Sequence, residues 1–134
     1  MATHKQRMQD IMGALAQGDA RPFVAALADD FTWIMPGGNA WCGRYEGKAA
    51  VRDRLFRPLF AQFATQYTLT ATRFIAEGDI VVVECRGNVT TRRGLPYANT
   101  YCMVFRFGDD GLLHELVEYM DTELVSRVLE APDA

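Results

Sequence analysis

From about residue 65 onward, the sequence alternates between apolar and polar residues, and three short turn signals interrupt the alternation. The signals lie at residues 77–79, 92–94 and 108–111, where glycine stands beside aspartate or arginine. A period of two places successive side chains on opposite faces of a β-strand, and turns of this kind join antiparallel strands. The pattern therefore predicts four consecutive antiparallel strands, at roughly residues 65–76, 79–91, 95–107 and 112–120.

The beginning of the chain carries helical signals instead. Thr3 and Gln6 form a capping-box pattern, after which apolar residues recur at helical spacing until Gly18. Asp19 can cap a second helix, and Pro22 fits the first turn of that helix. Two amphipathic helices are therefore predicted before residue 29.

Three further elements complete the predicted order. The segment 31–36 is aromatic and β-branched and stops at Pro36, which predicts a short strand. Apolar residues spaced by four predict a third helix at residues 48–63, bent near Pro58. Asp121 or Thr122 can cap a short final helix that extends through Leu129.

Three helices cannot cover both faces of so long a set of strands. The sheet should therefore curl around the helices and leave its other face to solvent or to a partner subunit. A chain of 134 residues fits one domain, which we expect to span residues 1–134. The sequence thus predicts an α+β fold with a curved sheet.

The composition argues against several classes of partner. The formal net charge is -3 and the basic clusters at residues 52–57 and 92–93 are short, so we expect no nucleic-acid partner. The longest apolar runs fall far short of the ~20 residues that a membrane span needs. The two histidines lie far apart and have no ligand cluster around them, which argues against a zinc site.

The three cysteines indicate a reducing compartment. Their number is odd, they show no C-x-x-C spacing, and no signal peptide precedes them. We therefore expect free thiols in a cytoplasmic protein.

Alternation assigns the side chains of each predicted strand to two faces. In the third long strand we expect the bulkier set to face inward, because its aromatic side chains can close a core over the helices. That set is Tyr97, Asn99, Tyr101, Met103 and Phe105. In the second long strand, alternation alone places the charged set, with Glu84 and Arg86, in water. The last strand is ambiguous, because Glu115 and Glu118 lie on opposite faces.

Four segments follow one another along the chain: GDARPFVAALADDFTWIMPG, GRYEGKAAV, GLPYANTYCMVFRF and EYMDTELVSRVL. In this order and spacing they resemble the nuclear transport factor 2-like (NTF2-like) superfamily, and more narrowly its SnoaL-like and ketosteroid-isomerase-like proteins. The resemblance implies a cone-shaped α+β domain, in which a curved mixed or antiparallel sheet wraps around three N-terminal helices and encloses a pocket. It also implies dimerisation through the outer sheet face. Members of the superfamily include isomerases, polyketide cyclases, epoxide hydrolases and proteins without catalysis.

The resemblance to ketosteroid isomerases does not extend to their catalytic groups. Those enzymes keep a tyrosine in the first helix, an aspartate base before a proline on the first strand, and an aspartic acid on the third long strand. The positions that look equivalent hold Ile11, Met35 and Met103. Because all three polar groups are missing, steroid isomerisation by that mechanism is disfavoured.

Limonene-epoxide-hydrolase-like members use an arginine and an aspartate on the second long strand and a carboxylate on the last strand. The resemblance matches these positions to Glu84, Arg86 and Glu118, with the second-strand charges transposed. It implies that both strands direct even-numbered residues into the pocket, against the alternation argument. Thr32 and Ile34 replace the water-holding tyrosine and asparagine, which argues against epoxide hydrolysis. SnoaL-like cyclases place an acidic base deep in the cone, which implies Glu118 for that role.

The candidate catalytic residues are therefore Glu118, Arg86 and Glu84. As general base, Glu118 needs a desolvated carboxylate, which raises its pKa, whereas Arg86 would hold it in place and lower that pKa. A buried structural ion pair of the same three residues is the alternative. Trp41, which follows a glycine-rich loop, is the candidate lid, or else a surface aromatic that a second subunit buries. The candidate ligand-binding residues are Tyr101, Asn99, Trp33, Met35, Trp41, Phe60, Met103 and Met120.

The sequence supports two hypotheses of different classes. The first is an enzyme that uses no metal or cofactor for acid–base chemistry, of isomerase, cyclase or hydrolase type, on a small apolar carbonyl- or ring-containing metabolite. The second is a non-catalytic domain that binds a small hydrophobic molecule or assists assembly. Both predict a homodimer, because the expected outward set is too apolar to be left exposed. That set is Val81, Val83, Cys85, Val89, Cys102 and Val104.

Overall fold

The computed structural model describes residues 1–132 of the chain. Its first helix, α1, covers His4–Leu15, and its second, α2, covers Arg21–Ala26. Thr3 caps α1 through the predicted capping box: its side chain accepts a hydrogen bond from the backbone N–H of Gln6, and the Gln6 side chain accepts one from the backbone of Thr3. Both predicted N-terminal helices are confirmed.

Within the described residues, seven strands form one curved sheet. Their order across the sheet is β2-β1-β7-β6-β4-β3, and β5 pairs with the end of β4. Strands β1 and β7 run parallel, and the other pairs are antiparallel, so the predicted meander is part of a mixed sheet. The strands are β1 Leu27–Met35, β2 Gly43–Glu46, β3 Thr68–Glu77, β4 Ile80–Thr90, β5 Pro96–Tyr97, β6 Thr100–Phe107 and β7 Leu113–Met120.

Strand β2 has no counterpart among the predicted elements. It has four residues, begins at Gly43 and is followed by Gly47, so it offers little periodicity to detect. Its pairing with β1 defines it, with Tyr45 opposite Trp33. A short strand of this kind depends on its neighbour rather than on its own sequence.

The predicted third helix is present at residues 48–60, but its geometry changes along its length. An α-helical turn, α3, covers Lys48–Ala50, a π-helical segment covers Val51–Phe56, and a second α-helical turn, α4, covers Arg57–Phe60. A proline has no backbone N–H and its ring crowds the preceding turn. Pro58 therefore explains why the helix changes to the wider π-helical geometry in the segment just before the proline, near the predicted bend.

Helix α5, Thr122–Val128, follows β7 directly. The Asp121 side chain caps it and accepts a hydrogen bond from the backbone N–H of Leu124 at 3.1 Å. The predicted cap and final helix are both confirmed. Asn39 donates to the carbonyl oxygen of Thr122, which ties the start of α5 to the loop that follows β1.

Helices α1 and α2 cover the inner face of the sheet. Met8, Ile11 and Met12 are buried on one side of α1, which packs against β3 and β4. Phe23 of α2 meets the ring of Trp33 edge-on, with 5.9 Å between ring centroids. The predicted α+β cone is thereby confirmed. Among the helices described, none is both long enough and apolar enough to span a membrane.

The inner and outer faces of β4 are the reverse of those that the epoxide-hydrolase resemblance implies. Residues with odd numbers are buried along β4 and β6, so the inward set predicted for β6 is confirmed. The outward set is corrected, because Val81, Val83, Cys85 and Val89 lie in the core, whereas Cys102 and Val104 face outward. Strand β4 lies against α1, where charged side chains would lose their hydration.

Candidate functional site

A cavity of about 390 Å³ lies between the helices and the inner face of the sheet. This volume falls within the range of small-molecule binding pockets. Ala20, Val24, Phe60 and Gln66 are the exposed lining residues and mark its opening. The predicted site residues that line the cavity are Trp33, Met35, Trp41, Phe60, Tyr101, Met103, Glu118 and Met120.

Glu118 projects from β7 into this cavity, beside Met103 of β6. It is only 5% exposed and forms no ion pair with any described residue. Burial raises the pKa of Glu118 from its ordinary 4.5 to about 8, and the nearby Trp33 indole N–H lowers it by a smaller amount. The carboxyl group is therefore mostly protonated at pH 7, and it can become a carboxylate close to physiological pH.

The indole N–H of Trp33 is a second polar group at this end of the cavity. Among residues 1–132, its Nε1 is the one buried side-chain nitrogen or oxygen that lacks a hydrogen-bond partner. The contact with Glu118 thus falls short of normal hydrogen-bond geometry, although it is close enough to influence the carboxyl group. An unpartnered buried donor costs free energy, so this N–H is available to a ligand oxygen or to ionised Glu118.

Glu84 and Arg86 do not reach the cavity, which corrects their predicted place beside Glu118. Both lie on the outer face of β4, where Arg86 is exposed. Glu84 pairs there with Arg73 of β3, with 2.6 Å between the Arg73 Nε and a carboxylate oxygen. The predicted buried trio of charges is therefore absent from the described structure, and Glu118 has no guanidinium to lower its pKa.

Three tyrosine hydroxyl groups meet on the cavity wall, and we call Tyr67, Tyr97 and Tyr101 the tyrosine cluster. The Tyr101 oxygen lies 3.3 Å from that of Tyr67 and 3.4 Å from that of Tyr97. Burial raises the pKa of all three hydroxyl groups above the ordinary 10. The cluster therefore presents neutral O–H groups at neutral pH.

Tyr67 is the member of the cluster that the sequence did not reveal. It falls at the start of the strand predicted at residues 65–76, for which no inward face was assigned, and the structure places it in the loop before β3. The available signal was Gly87 in the middle of β4, since a glycine inside a strand often marks a close approach by another group. A β-carbon at Gly87 would lie 2.5 Å from the Tyr67 hydroxyl oxygen.

Asn99 is fully buried, but its side chain is committed to other parts of the protein. Its Nδ2 donates to the Tyr97 hydroxyl at 3.0 Å and to the carbonyl of Asp121 at 3.1 Å. Its Oδ1 accepts from the backbone N–H groups of Thr100 and Asp121, at 2.8 and 3.1 Å. These bonds use both amide hydrogens and both lone pairs. Asn99 therefore has no free group for the predicted ligand contact and instead positions Tyr97.

Trp41 forms a fixed part of the cavity wall, which corrects the lid interpretation. It is 5% exposed, and its indole N–H donates to the carbonyl of Glu130 at 3.1 Å. Its backbone N–H donates to the Asn39 side chain at 2.9 Å. Its own chain buries it, and a second subunit is not needed for that.

The cavity therefore combines the carboxyl group of Glu118 with neutral donors on Trp33 and on the tyrosine cluster. Within residues 1–132, no three His, Cys, Asp or Glu side chains lie close enough together to hold a metal ion. This arrangement can move a proton and donate hydrogen bonds to a ligand oxygen inside an apolar space.

A sequence model of the SnoaL-like domain matches residues 8–116. The chain belongs to the SnoaL-like family. A curated relative of this SnoaL-like protein is the dimerizing cyclase phiC of Fungal sp. (strain ATCC 74256), which is 29% identical over 106 residues. The match covers 77% of the SnoaL-like chain and 47% of the relative, so the chain spans about half the length of that cyclase.

Solved structures place the SnoaL-like chain in the NTF2-like fold. An NTF2-like protein from Burkholderia thailandensis E264 has a TM-score of 0.80 and 25% identity, and the match covers 97% of this chain and 99% of that one. A structure of TerC co-crystallized with polyporic acid has a TM-score of 0.75 and 20% identity, and covers 91% and 94% of the two chains. At these identities the likeness establishes the fold, as the sequence resemblance implied.

Proposed function

We propose that the SnoaL-like protein is an enzyme that moves a proton on a small apolar molecule with an enolisable carbonyl group, and that Glu118 is the general base. The observation that supports this is Glu118 itself, a buried and unpaired carboxyl group that faces a cavity of about 390 Å³ with a pKa of about 8. General bases work best when their pKa lies near the working pH. Perturbed carboxyl groups in clefts are candidates for catalysis for the same reason.

The proposed step needs only the substrate and Glu118. The carboxylate takes a proton from the carbon beside the carbonyl group, the C–H electron pair forms a C=C bond, and the carbonyl oxygen becomes an enolate. An isomerase then returns the proton to a different carbon, whereas a cyclase uses the enolate carbon to attack an electrophilic carbon of the same molecule. The name of the curated relative, a cyclase, supports the second course.

Replacement of Glu118 by Gln tests the proposal. With 2-tetralone as a planar, enolisable probe in D₂O, we expect the wild-type protein to accelerate exchange of the protons beside the carbonyl group. Glu118→Gln should slow that exchange by about 10²- to 10⁴-fold, the usual contribution of a general base. The wild-type rate should rise with pH until about 8, because the carboxylate fraction of Glu118 grows up to its pKa. Proton NMR measures each rate.

Glu115→Gln is the matched control, because Glu115 lies on the opposite face of β7 from Glu118. Glu115→Gln should accelerate the exchange of the 2-tetralone protons as much as the wild-type protein does. If Glu118→Gln gave the same acceleration while remaining folded, the role proposed for Glu118 would be wrong.

The alternative function is a non-catalytic domain that holds a small hydrophobic molecule. The nearly continuous apolar wall of the cavity favours it, since a carboxyl group that is mostly protonated at pH 7 tolerates a neutral ligand. Tight binding of 2-tetralone by both wild type and Glu118→Gln, with no acceleration of exchange by either, would support this alternative.

We also propose a homodimer through the outer face of the sheet. The register aligns an apolar row across five strands on that face, and Val104 lies at its centre. The charges around this row have both signs: Arg73 pairs with Glu84, and Arg106 lies opposite Glu115 in the register of β6 and β7. A second copy presents the same row and is the simplest apolar partner. The row is Ile75, Val82, Val104, Val117 and Ile34.

Val104→Glu is expected to shift the protein from dimer to monomer at micromolar concentration, because it would bury two like charges at the centre of a symmetric interface. Sedimentation velocity of both proteins measures the change. Gln9→Glu adds the same charge on the exposed side of α1 and should leave the dimer intact. A monomeric wild type would contradict the dimer proposal.

A further inference from the structure

Among residues 1–132, the hydrogen bonds of the tyrosine cluster leave one hydroxyl hydrogen without an acceptor. Three hydroxyl groups are joined by two contacts, from Tyr101 to Tyr67 and from Tyr101 to Tyr97. Two contacts use two of the three hydrogens, whichever way the hydroxyl groups rotate. Asn99 adds a donor to Tyr97 and not an acceptor. The cluster therefore has a spare O–H at the cavity wall.

Water has little access to the spare hydroxyl hydrogen. Tyr97 and Tyr101 are 4% and 5% exposed, and all three rings line an apolar cavity. A buried donor without an acceptor costs free energy, and that cost is recovered when an acceptor arrives. A ligand with an oxygen at this position would therefore gain a hydrogen bond inside an otherwise apolar pocket.

A glycine in β4 leaves space for the hydroxyl group of Tyr67. Gly87 is the inward position of β4 that faces Tyr67, and any β-carbon there would lie 2.5 Å from the Tyr67 oxygen. The same glycine donates its backbone N–H to the carbonyl of Asn99 at 2.9 Å, so its backbone cannot move away freely. The Tyr67 hydroxyl position thus depends on a glycine that contributes no side chain of its own.

The cluster lies within reach of a ligand that also contacts Glu118. In the sheet register Glu118 pairs with Met103, and Tyr101 is the next inward residue along the same strand β6. Diagonal neighbours on one face of an antiparallel pair are roughly 7–8 Å apart. A ligand of one or two rings can therefore place a carbon beside Glu118 and an oxygen beside the tyrosine hydroxyl groups.

We infer that the tyrosine cluster binds the carbonyl oxygen of an enolisable ligand and donates its spare hydroxyl hydrogen to the enolate oxygen that forms when Glu118 removes the adjacent proton. This inference rests on the proposed function and names the oxygen-binding site and the substrate class. The proton ends on Glu118, and the negative charge ends on the oxygen that the cluster holds. Preorganised donors that face a developing oxyanion are among the largest contributions to catalysis.

Binding of 2-naphthols tests the site without requiring turnover. A 2-naphthol has the shape of the enol of 2-tetralone, and ring substituents change the acidity of its hydroxyl group. At pH 6 the carboxyl group of Glu118, with its pKa of about 8, is neutral and does not repel a polarised oxygen. We expect wild-type affinity to increase with the acidity of the naphthol, because a stronger partial charge on its oxygen strengthens the hydrogen bond.

Tyr67 is less buried than Tyr97 and Tyr101, so its hydroxyl group is the one that we expect to reach the ligand oxygen. Tyr67→Phe leaves the spare hydrogen on the two more deeply buried tyrosines. Tyr67→Phe and Gly87→Ala should therefore each lower the affinity for the most acidic naphthol by about tenfold or more and flatten the dependence on acidity. The first removes a hydroxyl group, and the second displaces the same group while removing nothing. Tyr119→Phe is the control, because Tyr119 lies on the outer face and is 51% exposed. Fluorescence titration of the naphthols measures each affinity. An equal loss across the whole series, or none, would overturn the inference, since altered packing affects all naphthols alike.

The Glu118→Gln variant separates this inference from the proposed function. Its naphthol affinities should keep their dependence on acidity, because the cluster and not Glu118 donates the hydrogen bond. If Tyr67→Phe and Gly87→Ala flatten the dependence of affinity on naphthol acidity, the oxygen site is supported even if Glu118→Gln retains proton exchange. If these two variants leave that dependence unchanged, the site is overturned even if Glu118 is the base.

Discussion

Glu118→Gln is expected to unfold at a temperature about 10 °C or more above that of the wild-type protein at pH 9, and within a few degrees of it at pH 5. The reason is that burial raises the pKa of Glu118 from 4.5 to about 8 in the folded protein. Above pH 8 the wild-type protein must keep a carboxylate in an apolar cavity. Glutamine has nearly the same shape and never carries that charge.

The direction follows from proton linkage. The folded state holds the Glu118 proton more tightly than the unfolded state, so this group stabilises the fold fully below about pH 4.5. The contribution declines as pH rises from about 4.5 to about 8 and is lost above that window. At about 1.36 kcal/mol per pH unit, its upper limit is roughly 4 to 5 kcal/mol. For a chain of this length each kcal/mol changes Tm by about 2–8 °C.

Thermal unfolding followed by circular dichroism at pH 5, 7 and 9 measures the difference between the two proteins. Glu115→Gln, on the outer side of the same strand, should change Tm little and equally at the three pH values. The same difference between Glu118→Gln and wild type at pH 5 and pH 9 would contradict a raised pKa for Glu118.

This prediction connects stability with the proposed chemistry. The carboxylate that would accept a proton is the form that the fold tolerates least, and a variant without it should gain stability while it loses exchange activity. Such opposed effects are common where a protein buries a strained or charged group for function. A carboxyl group retained only for packing would give no reason for the two effects to occur together.

The parts of the fold that were predictable are those encoded locally. The turn signals at residues 77–79, 92–94 and 108–111 fall at or beside the ends of observed strands, and Thr3 and Asp121 cap helices as expected. Each of these signals depends on residues within one or two turns of chain. Strand β2 lacks such a signal, because only its pairing with β1 makes it a strand.

The candidate site was predictable only in part, because it depends on which face of each strand is buried. In β4 simple alternation was right for Glu84 and Arg86, and the match to epoxide hydrolases was wrong. In β7 alternation could not choose between Glu115 and Glu118, and the match to cyclases chose the residue that is buried. The contact of Tyr67 with the other tyrosines is a long-range one that no local pattern encodes.

Asn99→Ala is expected to destabilise the fold by roughly 3 to 5 kcal/mol, a large part of the stability of a domain of this size. The side chain is fully buried and makes four hydrogen bonds. Its loss leaves the backbone N–H groups of Thr100 and Asp121, and the carbonyl of Asp121, without their partner. These groups join the start of β6 to the end of β7, so the damage falls on the strand pair that carries Glu118.

Urea unfolding of Asn99→Ala and of Asn88→Ala measures this effect. Asn88 is the same residue type in an exposed position on the outer face of β4, and its loss should cost no more than about 0.5 kcal/mol. A ligand-binding role for Asn99 makes the opposite prediction, since truncation of such a residue weakens ligand affinity with little change in stability. An Asn99→Ala protein of wild-type stability with weakened naphthol binding would therefore restore Asn99 to the ligand site. A protein that unfolds at a much lower urea concentration would support a structural role for Asn99.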